Sequence, residues 1–371
     1  MLYLDHAATS FPKPAAVTAA VLRWYHELGV SPGRGDSRRT TEVTRLVDQT
    51  RTGLGRRLGL PATRVAFTSG ATESLNLFLR GFLRPGDRVL TTAFEHSSVA
   101  RPLQALQRER QLALQILPPG TGGSLPVAAV QAALATFAPR LFVFTHASNV
   151  TGAVFDAAAF CAAARAAGTT TLLDVSQTAG WFDLQVGADA FAGSAHKALL
   201  GPPGLGFLAV REGVPVVGQK QGGTGSSRAL AEHPAAWPTA FEAGTPNTPA
   251  ILGLHAALQE FDDGGMLARR TRALAAIEAL AAALAADPRV VLLQPPSGPR
   301  TPVLSFVRQD LDPAEVGAVL DQADIHVRTG HHCAPWVHAW LGTEAGGTVR
   351  ISPGADVTAA DILAVSAALA G

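Results

Sequence analysis

The sequence Thr169-Thr-Thr-Leu-Leu-Asp174-Val-Ser-Gln177 is an apolar run that ends in an aspartate and a glutamine. Further along the chain, Ser194-Ala-His-Lys197 places a lysine among small and apolar residues, ahead of a Gly/Pro-rich turn. Apolar, β-rich runs are typical of strands that are buried on both faces of a parallel sheet. In open α/β sheets, ligands bind just beyond the carboxyl ends of such strands. These segments therefore predict a mostly parallel sheet with an aspartate and a lysine at one site.

Short β-rich runs alternate with alanine- and leucine-rich stretches on both sides of these segments. The predicted strands are Val65–Thr68, Arg88–Thr92, Leu141–Thr145, Thr169–Val175 and Leu205–Val210. The predicted helices between them are Ser74–Gly81, Val99–Arg110, Pro126–Thr136 and Ala157–Ala167. Strands that alternate with helices imply a sheet covered on both faces, which places the chain in the α/β class.

The rest of the chain suggests where the domains divide. Residues 232–249 carry four prolines and little periodicity, which is typical of a crossing loop or a domain junction. A long helical region follows, with a break at 262–265, and then shorter strands and helices up to a final helix that begins near Thr358. We therefore predict an N-terminal arm (1–14), a large domain (15–249) and a smaller C-terminal α/β domain (250–371).

Composition excludes several classes of protein. The 371 residues include 30 basic and 29 acidic side chains, and only 16% are charged, against roughly 25% in an average protein. No basic cluster is present, so we expect neither nucleic acid nor an anionic membrane surface as a partner. No stretch is long and apolar enough to predict a membrane span. The two cysteines, Cys161 and Cys333, predict free thiols and a cytoplasmic location.

Only three of the 30 basic residues are lysines: Lys13, Lys197 and Lys220. Lys197 is a candidate for imine chemistry, because a lysine with a lowered pKa is a nucleophile and an arginine cannot form an imine. Lys13 lies in a proline-flanked arm and Lys220 in a Gly/Gln-rich loop, and we expect no lysine-specific role for either.

Three needs of pyridoxal 5'-phosphate (PLP) are met by this set of residues. The cofactor requires a lysine imine, a carboxylate facing its pyridinium nitrogen and an anion site for its phosphate. Lys197 and Asp174 supply the first two, and the Gly70–Thr72 turn, which precedes a predicted helix, suits a phosphate. His96, just past a predicted strand, offers a flat ring that can stack on the cofactor.

The chain resembles the class V aminotransferase fold of PLP enzymes (fold type I) in five motifs. These are Leu4-Asp-His-Ala-Ala-Thr9, Thr68-Ser-Gly-Ala-Thr-Glu-Ser-Leu-Asn76, Glu95-His96, Asp174-Val-Ser-Gln177 and Ser194-Ala-His-Lys197. Two further motifs resemble group II (SUF-type) cysteine desulfurases: Phe241-Glu-Ala-Gly-Thr-Pro-Asn-Thr248 and Arg328-Thr-Gly-His-His-Cys-Ala334. The resemblance covers nearly the whole chain. It implies a homodimer that uses PLP to convert L-cysteine to L-alanine.

The resemblance also implies a role for each motif residue. Lys197 would bind PLP and move substrate protons, and His96 would stack on the ring. Asp174 would pair with the pyridinium nitrogen and Gln177 with the phenolic oxygen. The implied phosphate ligands are Ala71, Thr72, Ser194, His196 and, from the partner subunit, Thr245. The implied substrate-binding residues are Asn149, Arg328 and Arg350, of which Arg350 holds the carboxylate as a bidentate fork.

Cys333 is the residue that distinguishes a desulfurase from other PLP enzymes. As a thiolate it would take the sulfur of bound cysteine as a persulfide and pass it to an acceptor protein. Two other interpretations remain open from the residues alone. Cys333 could be an inert thiol, as we expect for Cys161, or it could bind zinc together with neighbouring histidines. We expect no metal, because adjacent ligands rarely suit one tetrahedral site and no C-x-x-C or H-E-x-x-H motif is present.

Several other functions stay open, and two segments depart from the family pattern. The alternatives are a selenocysteine lyase or another PLP-dependent C–S lyase, a plain class V aminotransferase, and a non-catalytic sulfur carrier. Residues 31–37 lack a histidine that relatives carry in this loop. Residues 352–358 replace an aromatic residue and an Asn-Thr pair, so substrate choice could differ here.

Overall fold

The computed structural model describes residues 1–225, 231–262, 264–293 and 298–370. Its strands are β1 (Leu2–Tyr3), β2 (Val65–Thr68), β3 (Arg88–Thr92), β4 (Ala113–Leu117), β5 (Leu141–Thr145), β6 (Thr170–Asp174), β7 (Ala190–Ser194), β8 (Gly206–Val210), β9 (Val290–Leu293), β10 (Leu304–Arg308), β11 (Ile325–His326), β12 (Arg328–Gly330) and β13 (Thr348–Ile351). Its α-helices are α1 (Ala15–Arg23), α2 (Arg38–Leu58), α3 (Ala71–Phe82), α4 (Ser97–Arg110), α5 (Val127–Phe137), α6 (Ala157–Ala166), α7 (Thr248–Gln259), α8 (Gly265–Ala285), α9 (Pro313–Gln322), α10 (Val337–Leu341) and α11 (Ala359–Ala370).

A seven-stranded sheet forms the centre of the large domain, in the order β2-β8-β7-β6-β5-β3-β4. Strand β8 is antiparallel to both of its neighbours, and all the other pairs are parallel. The prediction of an α/β fold with a mostly parallel sheet is confirmed. Because the parallel strands point the same way, the residues that follow β3, β5, β6 and β7 emerge at one edge.

Both faces of this sheet are covered by helices, as the continuous apolar strands require. Successive residues of a strand face opposite sides, so Leu172 and Leu173 belong to different clusters of buried side chains. Helices α3 and α4 supply Phe78 and Leu103 to one cluster. The other, larger cluster contains residues of α1, α2, α5, α6 and α7. The strands in the middle of the sheet are therefore buried on both faces, which explains why they carry no polar alternation.

A four-stranded antiparallel sheet, in the order β12-β13-β10-β9, forms the second domain together with α8, α9 and α11. Helix α7 contributes Ile251 and Leu254 to the core of the large domain, although the sequence analysis assigned it to the smaller one. We therefore propose that the domains divide between α7 and α8. The predicted break at 262–265 coincides with this point, although Asp263 lies outside the described residues.

The N-terminal arm joins the two domains. Strand β1 pairs in parallel with β11, and Leu4 is buried in the core of the smaller domain. Asp5 then forms a parallel bridge with Ser352, directly after β13. Ser10 N donates to the carbonyl of His196 in the large domain at 2.9 Å. The arm therefore reaches from the second sheet to the loop that carries Lys197.

Local capping residues start several helices where the sequence predicts. The side chain of Asp156 accepts from Ala159 N at 3.0 Å at the start of α6. Asp312 and Glu315 form a capping box at the start of α9, and Thr358 and Asp361 exchange hydrogen bonds at the start of α11. None of the helices in the described ranges is long and apolar enough to cross a membrane.

Candidate active site

The polar residues predicted at the strand ends come together around Lys197. The charges that act on its amine are those of Asp174 after β6, Arg328 on β12, Arg350 on β13, and the Cys333 thiol. Burial is the largest influence and lowers the pKa of Lys197, Asp174 acts in the opposite direction, and the two arginines add to the lowering. The arrangement favours the neutral amine, which is the nucleophilic form.

Asp174 ends β6 as a buried carboxylate with one oxygen already occupied. Its Oδ1 atom accepts from Ser176 N at 2.9 Å and from Ser176 Oγ at 2.6 Å. The side chain is 5% exposed. Within the described part of the chain, Oδ2 accepts no hydrogen bond, so it is available to a cationic partner. A buried carboxylate needs such a partner to remain ionised.

His96 lies at the N-terminus of α4 and caps it. Its Nδ1 atom accepts from Ser98 N at 3.1 Å and lies 2.9 Å from Ser98 Oγ. Burial, followed by the charge of Lys197, lowers the pKa of His96 to about 4. An acceptor at Nδ1 requires the neutral tautomer that carries its proton on Nε2. The helix cap therefore fixes both the position and the protonation state of the ring.

The Gly70–Thr72 turn, which we predict to bind an anion, lies against the end of β7. Ala71 N donates to Ser194 Oγ at 3.2 Å, and Thr72 Oγ1 lies 2.7 Å from Ser98 Oγ. Gly206 makes this geometry possible, since a Cβ atom there would lie 2.5 Å from the Cα atom of Gly70. The turn leads directly into the twelve-residue helix α3, whose N-terminus favours an anion.

His196 and Gln177 complete the surroundings of Lys197. The Nδ1 atom of His196 is buried and, among the described residues, has no hydrogen-bond partner. Burial, followed by Lys197 and Lys13, lowers the pKa of His196 to about 4. Gln177 Nε2 donates to the carbonyl of Ala7 in the N-terminal arm at 3.0 Å. His196 thus retains a free polar atom that a ligand can satisfy, and the arm orients Gln177.

Arg350 is buried on β13 and is held by residues of the arm and the large domain. Its Nη2 atom pairs with Asp5 Oδ1 at 2.5 Å, and its Nη1 atom donates to the carbonyl of Asn149 at 3.1 Å. The Nε atom is buried and, within the described residues, unpartnered. The Asn149 side chain is turned away, because Nδ2 donates to the carbonyl of His332 at 2.6 Å. Asn149 therefore connects Arg350 to the cysteine loop.

The loop that carries Cys333 is fixed at the edge of this site. Ser97 N, at the start of α4, donates to the carbonyl of Cys333 at 2.6 Å, and Arg328 Nη2 donates to its Sγ atom at 3.4 Å. His332 and Cys333 have positive φ angles of 49° and 57°, a conformation that costs energy in residues other than glycine. The thiol is exposed to solvent. The backbone thus presents this sulfur outward, next to a guanidinium.

Cys161 is buried, and two histidines near Cys333 have polar partners within the fold. Cys161 is buried in α6, and burial raises its pKa to about 12. His332 Nε2 lies 2.8 Å from Thr348 Oγ1, and His338 Nδ1 lies 2.8 Å from Thr343 Oγ1. Among the described residues, no group of three or more His, Cys, Asp or Glu side chains is placed to hold a metal ion.

Comparisons with known proteins identify the family of the chain. The model of the aminotransferase class-V family matches residues 2–365. The chain belongs to this family. A cysteine desulfurase of Serratia proteamaculans is 33% identical over 347 residues, which are 90% of this chain and 84% of that protein. A probable cysteine desulfurase of Methanothermobacter thermautotrophicus is 30% identical over 363 residues, 95% of this chain and 89% of that protein.

Solved structures resemble this class V chain over its whole length. The apo structure of a cysteine desulfurase from Thermococcus onnurineus has a TM-score of 0.92 at 27% identity, covering 99% of this chain and 93% of that one. A cysteine desulfurase of Escherichia coli, in an S-sulfonic acid form, has a TM-score of 0.88 at 26% identity, with the same coverage. The predicted fold is thus the fold of this family.

Thr245 is a predicted site residue for which the structure of this class V chain shows no bond to the others within the described residues. It is exposed, and it lines a cavity of about 390 Å³ together with Ser69, Glu73 and Lys220. Within the described residues, no hydrogen bond connects Thr245 with another predicted site residue. Its assignment to the partner subunit's phosphate site remains a prediction.

Three residues at the site of this class V chain were not assigned a role from the sequence. Asp5 lies in the first of the motifs that resemble the family, but its pairing with Arg350 was not predicted. Ser98 connects Thr72 with His96. Lys13 donates to the carbonyl of His196 at 2.8 Å, a specific interaction that we did not expect from the sequence.

Proposed function

We propose that the protein is a PLP-dependent cysteine desulfurase that converts L-cysteine to L-alanine and retains the sulfur on Cys333. The proximity of this thiol to the Lys197 site carries the proposal. Arg328 donates to the Sγ atom, and the charges of Arg328 and Cys333 both act on the Lys197 amine. A lysine site without such a thiol would fit a plain aminotransferase equally well.

The residues around Lys197 fit PLP by their chemistry. His196 Nδ1 is a buried polar atom without a partner, and the anion cradle that we propose, the Gly70–Thr72 turn against Ser194, lies at a helix N-terminus. When bound, PLP supplies an electron sink for the carbanion that forms at the substrate's Cα atom. Asp174 Oδ2 is available for the pyridinium nitrogen, and Gln177 for the phenolic oxygen. The same proposal includes Thr72 and Thr245 as ligands of the PLP phosphate.

The side chains of the site then have separate tasks. Lys197 holds the cofactor and moves the proton at the substrate's Cα atom, for which its lowered pKa is suited. His96 would stack on the ring of the cofactor as a neutral imidazole. Arg350 binds the substrate carboxylate through its unpartnered Nε atom, because the carbonyl of Asn149 already occupies Nη1 and Asp5 occupies Nη2.

The sulfur step balances without an external oxidant. The Cys333 thiolate attacks the sulfur of the bound cysteine, so an S–S bond forms while the Cβ–S bond breaks. The electron pair of the broken bond remains on carbon and takes up a proton, which gives alanine. The persulfide stays on Cys333, where Arg328 stabilises negative charge on sulfur. Because Cys333 is exposed, an acceptor protein can reach the outer sulfur.

Two variants test this proposal. With L-cysteine and a reductant, the wild type should release alanine and sulfide in equal amounts. Lys197→Ala should lack the visible absorbance of bound PLP, and Cys333→Ser should keep it but lose at least about a hundredfold of the activity. Cys161→Ser is the matched control and should behave as wild type. Undiminished desulfuration by Cys333→Ser would favour a lyase that releases sulfur or selenium directly.

A further inference from the structure

The two peptide carbonyls that flank Lys197 are each bound by a partly buried cation. Lys13 Nζ donates to the carbonyl of His196 at 2.8 Å. Arg269 Nη2 donates to the carbonyl of Ala198 at 2.7 Å. The first cation comes from the N-terminal arm and the second from α8, at the start of the smaller domain. The backbone on both sides of Lys197 is therefore held from outside the large domain.

The arm directs several donors to the carbonyl of His196. Besides Lys13, Ser10 N donates to it at 2.9 Å and Thr9 Oγ1 at 3.1 Å. Lys13 Nζ also donates to Ser10 Oγ at 2.7 Å, which fixes the ammonium in place. Burial lowers the pKa of Lys13 to about 8, so the side chain is still mostly charged at neutral pH. Charged donors make stronger hydrogen bonds than neutral ones.

Arg269 connects the loop of Lys197 with the loop that follows Gln177. The same Nη2 atom donates to the carbonyl of Gly180 at 2.8 Å. These two loops are in direct contact, because a Cβ atom at Gly180 would lie 1.9 Å from the carbonyl oxygen of Ala198. The guanidinium lies 3.7 Å from the centre of the Trp181 ring, which adds a cation–π contact.

Arg269 makes these contacts in place of an ion pair. Among the described residues, no carboxylate lies within ion-pair distance of it, and its Nε atom is buried without a partner. Burying a cation in this way has a cost, which the two carbonyls and the aromatic rings offset. The interactions that the side chain makes are with the backbone of the active-site loops. Its effect is therefore on the position of those loops.

We propose that Lys13 and Arg269 are positioning residues that hold the backbone on either side of Lys197, so that its amine meets the cofactor in a fixed place. This inference rests on the proposed function only in taking Lys197 as the lysine that binds PLP. Neither side chain contacts the Lys197 amine or a predicted substrate ligand. A shift of the reacting amine by about 1 Å is enough to slow a reaction by about a hundredfold.

The test measures how fast the full-length, cofactor-free protein captures PLP, together with kcat and KM for L-cysteine. Arg269→Met and Lys13→Met should each slow PLP capture and lower kcat by about tenfold to a hundredfold, with KM changed by less than about threefold. Arg269→Lys and Lys13→Arg keep a cationic donor and should restore most of both rates. A loss caused only by poorer packing would not be restored by these changes.

The matched control is Arg270→Met. Arg270 is the next residue on α8, and its guanidinium lies 4.0 Å from the Phe182 ring. If Arg269→Met folds and captures PLP as fast as Arg270→Met, the role of Arg269 is refuted. If Lys13→Met captures PLP as fast as Arg270→Met, the role of Lys13 is refuted. If Arg269→Met does not fold, Arg269→Gln replaces it as the variant without the charged donor, and wild-type rates in Lys13→Met refute the two-sided arrangement. A wild type that does not bind PLP at Lys197 would instead refute the proposed function.

Discussion

Glu95, which is next to His96 in the chain, is a buried residue whose protonation state depends on pH. Its side chain is fully buried after β3, next to His96. Oε1 accepts from Thr92 Oγ1 at 2.5 Å and from Thr145 N at 3.1 Å, whereas Oε2 is buried and unpartnered within the described residues. Burial raises the pKa of Glu95 from 4.5 to about 8, against the effect of these hydrogen bonds. The carboxyl group is therefore protonated at neutral pH.

We predict that Glu95→Gln gains stability relative to the wild type as pH rises. The folded state binds the Glu95 proton more tightly than the unfolded chain does. Wild-type stability therefore falls between pH 4.5 and about 8, whereas a glutamine does not titrate. The variant should unfold like the wild type near pH 5 and at a higher temperature near pH 9, where its free energy of unfolding should exceed that of the wild type by about 4 kcal/mol. Thermal unfolding at both pH values measures this.

An exposed glutamate provides the control for that experiment. Glu260→Gln, at the end of α7, should not change the pH dependence of unfolding. A Glu95→Gln difference that stays constant between pH 5 and pH 9 would mean that Glu95 ionises normally in the folded protein.

The reactive residues of the candidate site could be predicted from the sequence, but the residues that hold them in position could not. Lys197, Asp174 and His96 follow apolar strands, where a polar group needs a reason. Asp5 and Lys13 lie in a short arm without such a pattern. Their partners are 345 and 183 residues away in the chain, so only the folded structure brings them together. Arg269 was one of many arginines, and nothing in its helix sets it apart.

At the scale of elements, strands were predictable where their apolar runs were continuous. Strands β2, β3 and β5 have the predicted bounds. Strand β4 was missed, because it is an edge strand with exposed residues such as Ala113 and Ile116. Strand β7 was missed because Ala190-Phe-Ala-Gly-Ser194 is short and contains small residues. Small residues suit this central position, where Gly193 packs against the Phe207 ring.

The contact between β8 and the Gly70 turn leads to a prediction about the anion cradle. A methyl group at Gly206 would collide with Gly70, so Gly206→Ala should displace the turn and weaken PLP binding by about tenfold or more. Gly346→Ala is the control, because a Cβ atom there makes only ordinary contact with Pro313 at 3.4 Å. Equilibrium binding of PLP to the cofactor-free proteins measures the effect. Equal affinities would contradict the proposed cradle.

At the scale of the whole molecule, one predicted phosphate ligand points to a second subunit. Thr245 is exposed on the large domain and unconnected with the Lys197 site in its own chain, within the described residues. The family resemblance assigns it to the phosphate of the partner's PLP. We therefore propose a homodimer in which each chain completes the other's site.

Mixed dimers of two defective variants test this directly. Lys197→Ala removes the lysine and Thr245→Ala weakens phosphate binding by about tenfold. If Thr245 acts across the interface, a dimer with one copy of each variant has one intact site and binds PLP there with wild-type affinity. If Thr245 acts within its own chain, the mixed dimer has no intact site. A wild type that sediments as a monomer would also contradict the assignment.

The most direct test of the whole account follows the sulfur atom itself. The protein with bound PLP is mixed with one equivalent of sulfur-labelled L-cysteine and then digested. The masses of its peptides are measured by mass spectrometry. We expect one labelled sulfur atom on the peptide that contains Cys333, an equal amount of alanine, and no label on the Cys161 peptide. Labelled sulfide released at the same rate from the wild type and from Cys333→Ser, with Cys333 unmodified, would contradict it.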